Sequence, residues 1–374
     1  MKEQISNNPG NLDAVFSDLV KTDLVGLAAC KIQDGVMIWQ GSYGWANLED
    51  KIPVSANTLF EMCSVSKTIT GAALLHLFDK GLFKLDDEIN HYIPFAIKNP
   101  NHPTVPITFR MLLTHSSSLA DDFQSISSLY TEGNETDPSM EALVKGFLSL
   151  KELVKEFFDG NGKYYKKENF FGNKPGEKFL YCNLNYVIIA YLVERLSGRS
   201  FVDYCRENLF IPLEMEETGW LLWGIDINHV AYNYFSDESV PSKRIRLYHK
   251  GWPGYPDGGL RSSVVEFSNF VSMMLNKGKY KGKQILTHST VEEIFTAQDV
   301  DVSSVPREPV PVDGIGLTWH ILKTGSANYF YHAGGGTGIS SIVLMDLENK
   351  AASTVICTGS MTQTVINTLM SQLL

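Results

Sequence analysis

The period of the hydrophobic positions changes twice along the chain. Residues 11–23 (NLDAVFSDLVKTD) place apolar side chains at helical spacing. Residues 24–32 (LVGLAACKI) and 36–46 (VMIWQGSYGWA) are rich in β-forming residues, and Gln33-Asp34-Gly35 separates them. Two such runs around Asp-Gly predict a β-hairpin. From Val65 the period becomes helical. In residues 68–81 (TITGAALLHLFDKG) apolar residues recur at i, i+3, i+4 and i+7, and Gly81 marks the C-terminal end. Further helices are predicted over 107–116, from Ser139 to Phe158, over 184–198, near 201–210 and over 264–278. Beyond about residue 310 strands return in GIGLTWHIL, YFYHAG, ISSIVLMDL and ASTVICTG, with a hairpin turn at Asp346 to Lys350. Residues 362–374 (TQTVINTLMSQLL) read as a helix.

Strands at both ends and helices between them predict an α/β (α+β) fold. One antiparallel sheet is built from the two chain ends and flanked by terminal helices, with a mostly helical lobe inserted. The α/β lobe takes about 1–64 and 255–374, and the helical lobe about 65–254. The cleft between the lobes is the expected ligand site. The Ser-, Gly- and Asn-rich segment over about 119–174 is the expected lid.

Composition narrows the function classes. The 374 residues suggest about two domains, or one unit with an insertion. With 44% hydrophobic and 20% charged residues, the chain folds rather than staying disordered. No apolar run approaches the ~18 residues of a transmembrane helix. The net charge of −10 repels phosphate backbones, which excludes nucleic acid as a partner. Five cysteines, an odd number with no C-x-x-C pair, point to buried free thiols in a reducing compartment. The N-terminal MKEQISNNPGNLD lacks a signal-peptide core. A cytoplasmic location is therefore expected, with export behind a removed leader as the alternative. Scattered histidines without H-E-x-x-H or His-x-His argue against a metal enzyme. No G-x-S-x-G elbow is present.

Three segments carry candidate chemistry. Ser64 and Lys67 stand three residues apart where a helix opens, so they share a face. A serine hydroxyl needs a neighbouring base, and a desolvated lysine can serve. A helix N-terminus also favours a developing oxyanion. Taken alone, Ser64 reads equally as a helix cap. Tyr181 and Asn183 precede the next long helix and can bring a phenol and a carboxamide into one pocket. Alone, they read as a core tyrosine and a capping asparagine. His332 heads the run Ala333-Gly334-Gly335-Gly336, which lets a backbone approach a ligand closely. No Gly-Lys-Ser/Thr follows, so this is not a phosphate loop.

SxxK at 64–67, Tyr-x-Asn at 181–183 and His-x-Gly at 332–334, in that order, resemble the serine β-lactamase and penicillin-recognising family. The branch resembled is class C-like, with its β-lactamase-related esterases and D-peptidases. The stretches YGWANLEDKIPVSANTLFEMCSVSK, ITFRMLLTHSSSL, KPGEKFLYCNLNYVIIAYLVERLSG, PLEMEETGW and GGLRSSVVEFSNF extend the likeness over nearly the whole chain. The resemblance implies Ser64 as acylated nucleophile and Lys67 as its proton acceptor or tuning residue. It implies Tyr181 as general base and activator of the deacylating water. Asn183 would hold Lys67 and the substrate amide. The oxyanion hole would be the N–H groups of Ser64 and Gly335, with His332, Gly334 and Gly335 binding substrate. Whether Lys67 or Tyr181 takes the proton stays open.

Two departures matter. His332 replaces the lysine of class C β-lactamases, and a mostly neutral imidazole weakens carboxylate recognition by roughly 1.5–3 kcal/mol. If His332 binds a carboxylate as imidazolium, activity toward acidic substrates falls above about pH 7. Ser118 stands where relatives often carry glycine, which predicts an altered loop. Cys63 and Cys182 flank catalytic positions, so thiol reagents are expected to block the site. The implied activity is a serine hydrolase cleaving a small-molecule or peptide-like ester or amide, without cofactor. Esterase ranks first, D-peptidase or amidase second, weak β-lactamase third. Acyl transfer and a non-catalytic penicillin-binding sensor are the alternatives.

Overall fold

A computed structural model describes residues 9–22, 24–132, 148–237, 240–305 and 310–359. The strands β1 (Leu24–Gln33), β2 (Val36–Asn47) and β3 (Ile52–Pro53) come from the N-terminal end. The strands β4 (Gly314–Ile315), β5 (His320–Thr324), β6 (Ala327–Gly336), β7 (Ile339–Asp346) and β8 (Ala351–Gly359) come from the C-terminal end. They form one antiparallel sheet in the order β4-β5-β6-β7-β8-β1-β2-β3. The β1–β8 ladder, from Leu24 opposite Gly359 to Gln33 opposite Ala351, joins the two ends. Asp34 (φ 52°) and Gly35 (φ 75°) form the first hairpin turn, both at positive φ, which matches the twist of the strands they connect.

Alternation along β1 assigns its two faces. Leu27 and Ala29 pack with Leu12, Phe16 and Leu19 of α1 (Pro9–Thr22). Ala28, Cys30 and Ile32 face the opposite way, into the main core. Helix α5 (Val264–Leu275) covers that second face, and the Cys30 thiol reaches the Val264 carbonyl at 3.7 Å. Among the described residues, the longer helices of the middle of the chain are α2 (Ser66–Asp79), α3 (Leu150–Phe158) and α4 (Leu184–Ser197), with five-residue helices between and after them. α6 (His288–Phe295) follows α5. The predicted sheet from both ends and the helical insertion are the observed architecture.

Several elements differ in extent from expectation. The helix predicted over 107–116 is only Phe109–Leu113. Thr108 caps its start, and His115 at φ 52° cannot continue it. A hairpin pairing Asn233–Asp237 with Val240–Leu247 had no counterpart in the sequence reading. The predicted C-terminal helix and residues 133–147 of the expected lid lie outside the described residues. Among the described residues, no helix is long and apolar enough to cross a membrane.

Candidate active site

Ser64 sits in a 3-10 turn, Cys63–Val65, that runs into α2. A ladder of Phe60–Glu61 with Arg261–Ser262 holds the chain just before it. Cys63 takes φ 45°, a left-handed conformation costly for a side chain with a Cβ, immediately before Ser64. Beyond Tyr331, β6 no longer has β5 beside it, and its free edge approaches this turn. A Cβ at Gly334 would stand 2.7 Å from the Met62 carbonyl oxygen and 2.8 Å from the Ser64 nitrogen, so only glycine fits. Gly335 and Ser64 line the same cleft, where their N–H groups were expected to meet an oxyanion.

Lys67 is fully buried one turn into the chain from Ser64. Its ammonium donates to Ser64 Oγ at 3.0 Å, Asn183 Oδ1 at 2.8 Å and the Asp257 carbonyl at 2.6 Å. Three acceptors use all three hydrogens of an ammonium. Tyr181 is 36% exposed and lines the cleft. Its ring centroid lies 5.1 Å from Lys67 Nζ and stacks at 4.2 Å on the ring of buried His115. Asn183 begins α4, and Asp121 accepts from both its backbone N–H and its side-chain amide. Ser64, Lys67, Tyr181, Asn183, Gly334 and Gly335 thus come together from three parts of the chain.

The cleft beside Ser64 holds about 460 Å3. Phe123, Tyr130, Tyr181, Trp220, Trp223 and Trp252 give it largely aromatic walls, and Trp223 remains 57% exposed at the rim. Phe123, Ile126 and Tyr130 belong to the segment expected to act as a lid. Glu61, Asp257 and Arg261 add charge to the lining. Burial pushes the Asp257 carboxyl up to about 7, while nearby Lys67 opposes the shift. The Arg261 guanidinium donates to the carbonyls of Gly259, Lys250 and Trp220.

His332 corrects the sequence reading. Its side chain is wholly buried and is not part of the cleft wall. The ring stacks on His320 at 5.1 Å, and its Nδ1 donates to the Ala333 carbonyl at 2.9 Å. Burial, His320 and Lys67 together hold its pKa well below the ordinary value. It is neutral at working pH, so it supplies no imidazolium for a substrate carboxylate. The imidazolium on which a fall in activity above about pH 7 was conditional is thus disfavoured.

Two further expectations change. Ser118 keeps the left-handed backbone a glycine would take, at φ 64°. Its hydroxyl donates to the Asn173 carbonyl at 2.6 Å and accepts from Asn99 Nδ2 at 2.9 Å, which holds the conformation. Cys63 and Cys182 are buried, and burial raises both thiols well above the ordinary range. Both shifts disfavour the reactive thiolate, although Cys63 lines the cleft. Sequence reasoning missed Asp121, the Asp257 carbonyl and His115. None belongs to a short motif, and each reaches the site only through the fold. Among the described residues no cluster of three His, Cys, Asp or Glu could hold a metal.

Comparison with known proteins places this arrangement in context. A Beta-lactamase family profile matches residues 12–367. "Protein flp" of Staphylococcus aureus (strain MW2) is 23% identical over 275 residues, covering 73% of this chain and 50% of the relative. The chain thus spans about half the length of that curated relative. Among solved structures, the octameric penicillin-binding protein homologue from Pyrococcus abyssi superposes with TM-score 0.77 at 21% identity, covering 97% of this chain and 77% of that one. The D-amino acid amidase of Ochrobactrum anthropi SV3 gives 0.71 at 20%, covering 93% and 90%. EstCE1, a hydrolase with promiscuous acyltransferase activity, gives 0.72 at 18%, covering 93% and 92%. The fold common to these structures is the sheet with helical insertion described above, and with a profile match across almost its whole length the chain belongs to the beta-lactamase family of serine hydrolases.

Proposed function

We propose that this chain is a serine hydrolase that forms an acyl-enzyme on Ser64 and cleaves esters or amides carrying a bulky apolar group. One observation carries the reading: Lys67 Nζ stands 3.0 Å from Ser64 Oγ, fully buried, at the foot of an aromatic cleft. The Ser64 proton leaves to the adjoining Lys67–Tyr181 pair while Oγ attacks the substrate carbonyl. The Ser64 and Gly335 N–H groups stabilise the oxyanion. Tyr181, facing the cleft beside Lys67, passes the proton to the leaving group and then activates the deacylating water.

The buried, neutral His332 leaves the third motif without a cation for a carboxylate. That favours uncharged esters and amides over β-lactams, with β-lactam turnover weak. A related hydrolase is described with promiscuous acyltransferase activity, and the same acyl-enzyme would serve transfer to an alcohol. Intact-protein mass spectrometry with p-nitrophenyl butyrate tests the proposal. An acyl adduct is expected on the wild-type chain and none on Ser64→Ala. Burst acylation retained by Ser64→Ala would refute the assignment.

A further inference from the structure

We propose that Asp121 is a positioning residue. It turns the Asn183 carboxamide so that its oxygen faces Lys67, and so sets where the lysine stands against Ser64. The inference rests on the hydrolase reading for what Lys67 does, but the orientation itself is independent of it.

A carboxamide presents an oxygen on one side and an NH2 on the other, and its partners decide which faces where. Asp121 Oδ2 accepts from the Asn183 backbone nitrogen at 2.7 Å and from Asn183 Nδ2 at 2.8 Å. Asp121 Oδ1 accepts from the Leu184 nitrogen at 3.0 Å and the Cys182 thiol at 3.3 Å. An ionised carboxylate only accepts, so it compels the NH2 to face it. The carboxamide oxygen must then face Lys67, where it lies 2.8 Å from Nζ. The negative charge also sits at the N-terminus of the fourteen-residue α4, where unpaired N–H groups and the helix dipole favour an anion. Asp121 is thereby held in place, and the carboxamide with it. Without that hold, Lys67 keeps only Ser64 Oγ and the Asp257 carbonyl as fixed partners.

Asp121→Asn keeps the shape but turns one acceptor into a donor. The crystal structure of the variant is expected to show the Asn183 carboxamide flipped or displaced from Lys67. Burst acylation by p-nitrophenyl butyrate should slow on the order of 100-fold, with little change in the half-saturating ester concentration. In an Asn183→Ala background the same substitution should alter the rate less than about threefold, because the group it acts through is gone. A carboxamide that keeps its contact with Lys67 in the variant overturns the inference. So does an equal loss in both backgrounds, which is what a purely structural helix cap would give. If Asp121→Asn does not fold, Asp121→Glu retains the charge, moves it by one methylene, and is read by the same contact and the same cycle. A wild-type chain that never acylates Ser64 would sink the hydrolase reading, and the crystallographic arm would still decide this one.

Discussion

Single residues decide the chemistry at distances of a few ångströms. Gly334 is the sharpest case, because its missing side chain is what lets β6 pass the Ser64 turn. Gly334→Ala is expected to push Ser64 away from Lys67 and lower the acylation rate on the order of 100-fold. A stopped-flow burst assay reads the loss, and a crystal structure reads the displacement. Ser64, Lys67, Tyr181 and Asn183 were legible as candidates because their spacing is local and repeats a known order. Asp121 was not, since its four bonds converge on residues 182–184 across about sixty positions of chain. His332 was legible as a motif position and as a mostly neutral imidazole, but its burial away from the cleft wall was not. A side chain's exposure is a tertiary quantity, and burial is what keeps this imidazole neutral.

At the scale of elements, local signals with a physical mechanism were the readable ones. Asp34-Gly35 specified the first hairpin through its two positive φ angles. Gly81 and Gly198, at φ 71° and 69°, lie where α2 and α4 end. Elements with no period to read were missed, such as the two-residue ladder between Phe60–Glu61 and Arg261–Ser262. α3 carries a full capping box: Ser149 Oγ accepts from the Glu152 nitrogen, and the Glu152 carboxylate accepts from the Ser149 nitrogen. Ser149→Ala should therefore cost about 1 kcal/mol of stability, read as a lower melting temperature. α2 shows the limit of periodicity arguments. It is buried on nearly every side, Lys67, Thr68 and Thr70 included. Its polar side chains are accommodated because each finds a partner, Thr68 at the Val65 carbonyl and Thr70 at the Pro256 carbonyl.

The whole molecule sets how stability responds to pH. His76, His115, His249, His320 and His332 are each held below the ordinary imidazole value, chiefly by burial. The unfolded chain takes up these protons near pH 6.5 and the folded chain does not. Their contribution is full above about pH 6.5 and is lost as pH falls toward 4. Asp257 acts in the opposite sense. Raised to about 7 in the fold, its contribution is full below about pH 4 and is lost as pH rises through 7. Each group bends the curve by at most about 1.4 kcal/mol per pH unit, so several imidazoles outweigh one carboxyl. Urea unfolding should show lower stability at about pH 5 than at about pH 7.5. His320→Gln should shrink that difference and Asp257→Asn should enlarge it. A flat profile would show that the imidazoles are not desolvated in the fold. By itself the sequence determined the order of the principal elements, the sheet from two chain ends and the candidate motif residues, because hydrophobic period, turn chemistry and motif spacing are local properties. Tertiary structure alone decided which of those residues touch, which carry charge and what holds them. Distance across the fold, burial and hydrogen-bond partners exist only once the chain has closed on itself.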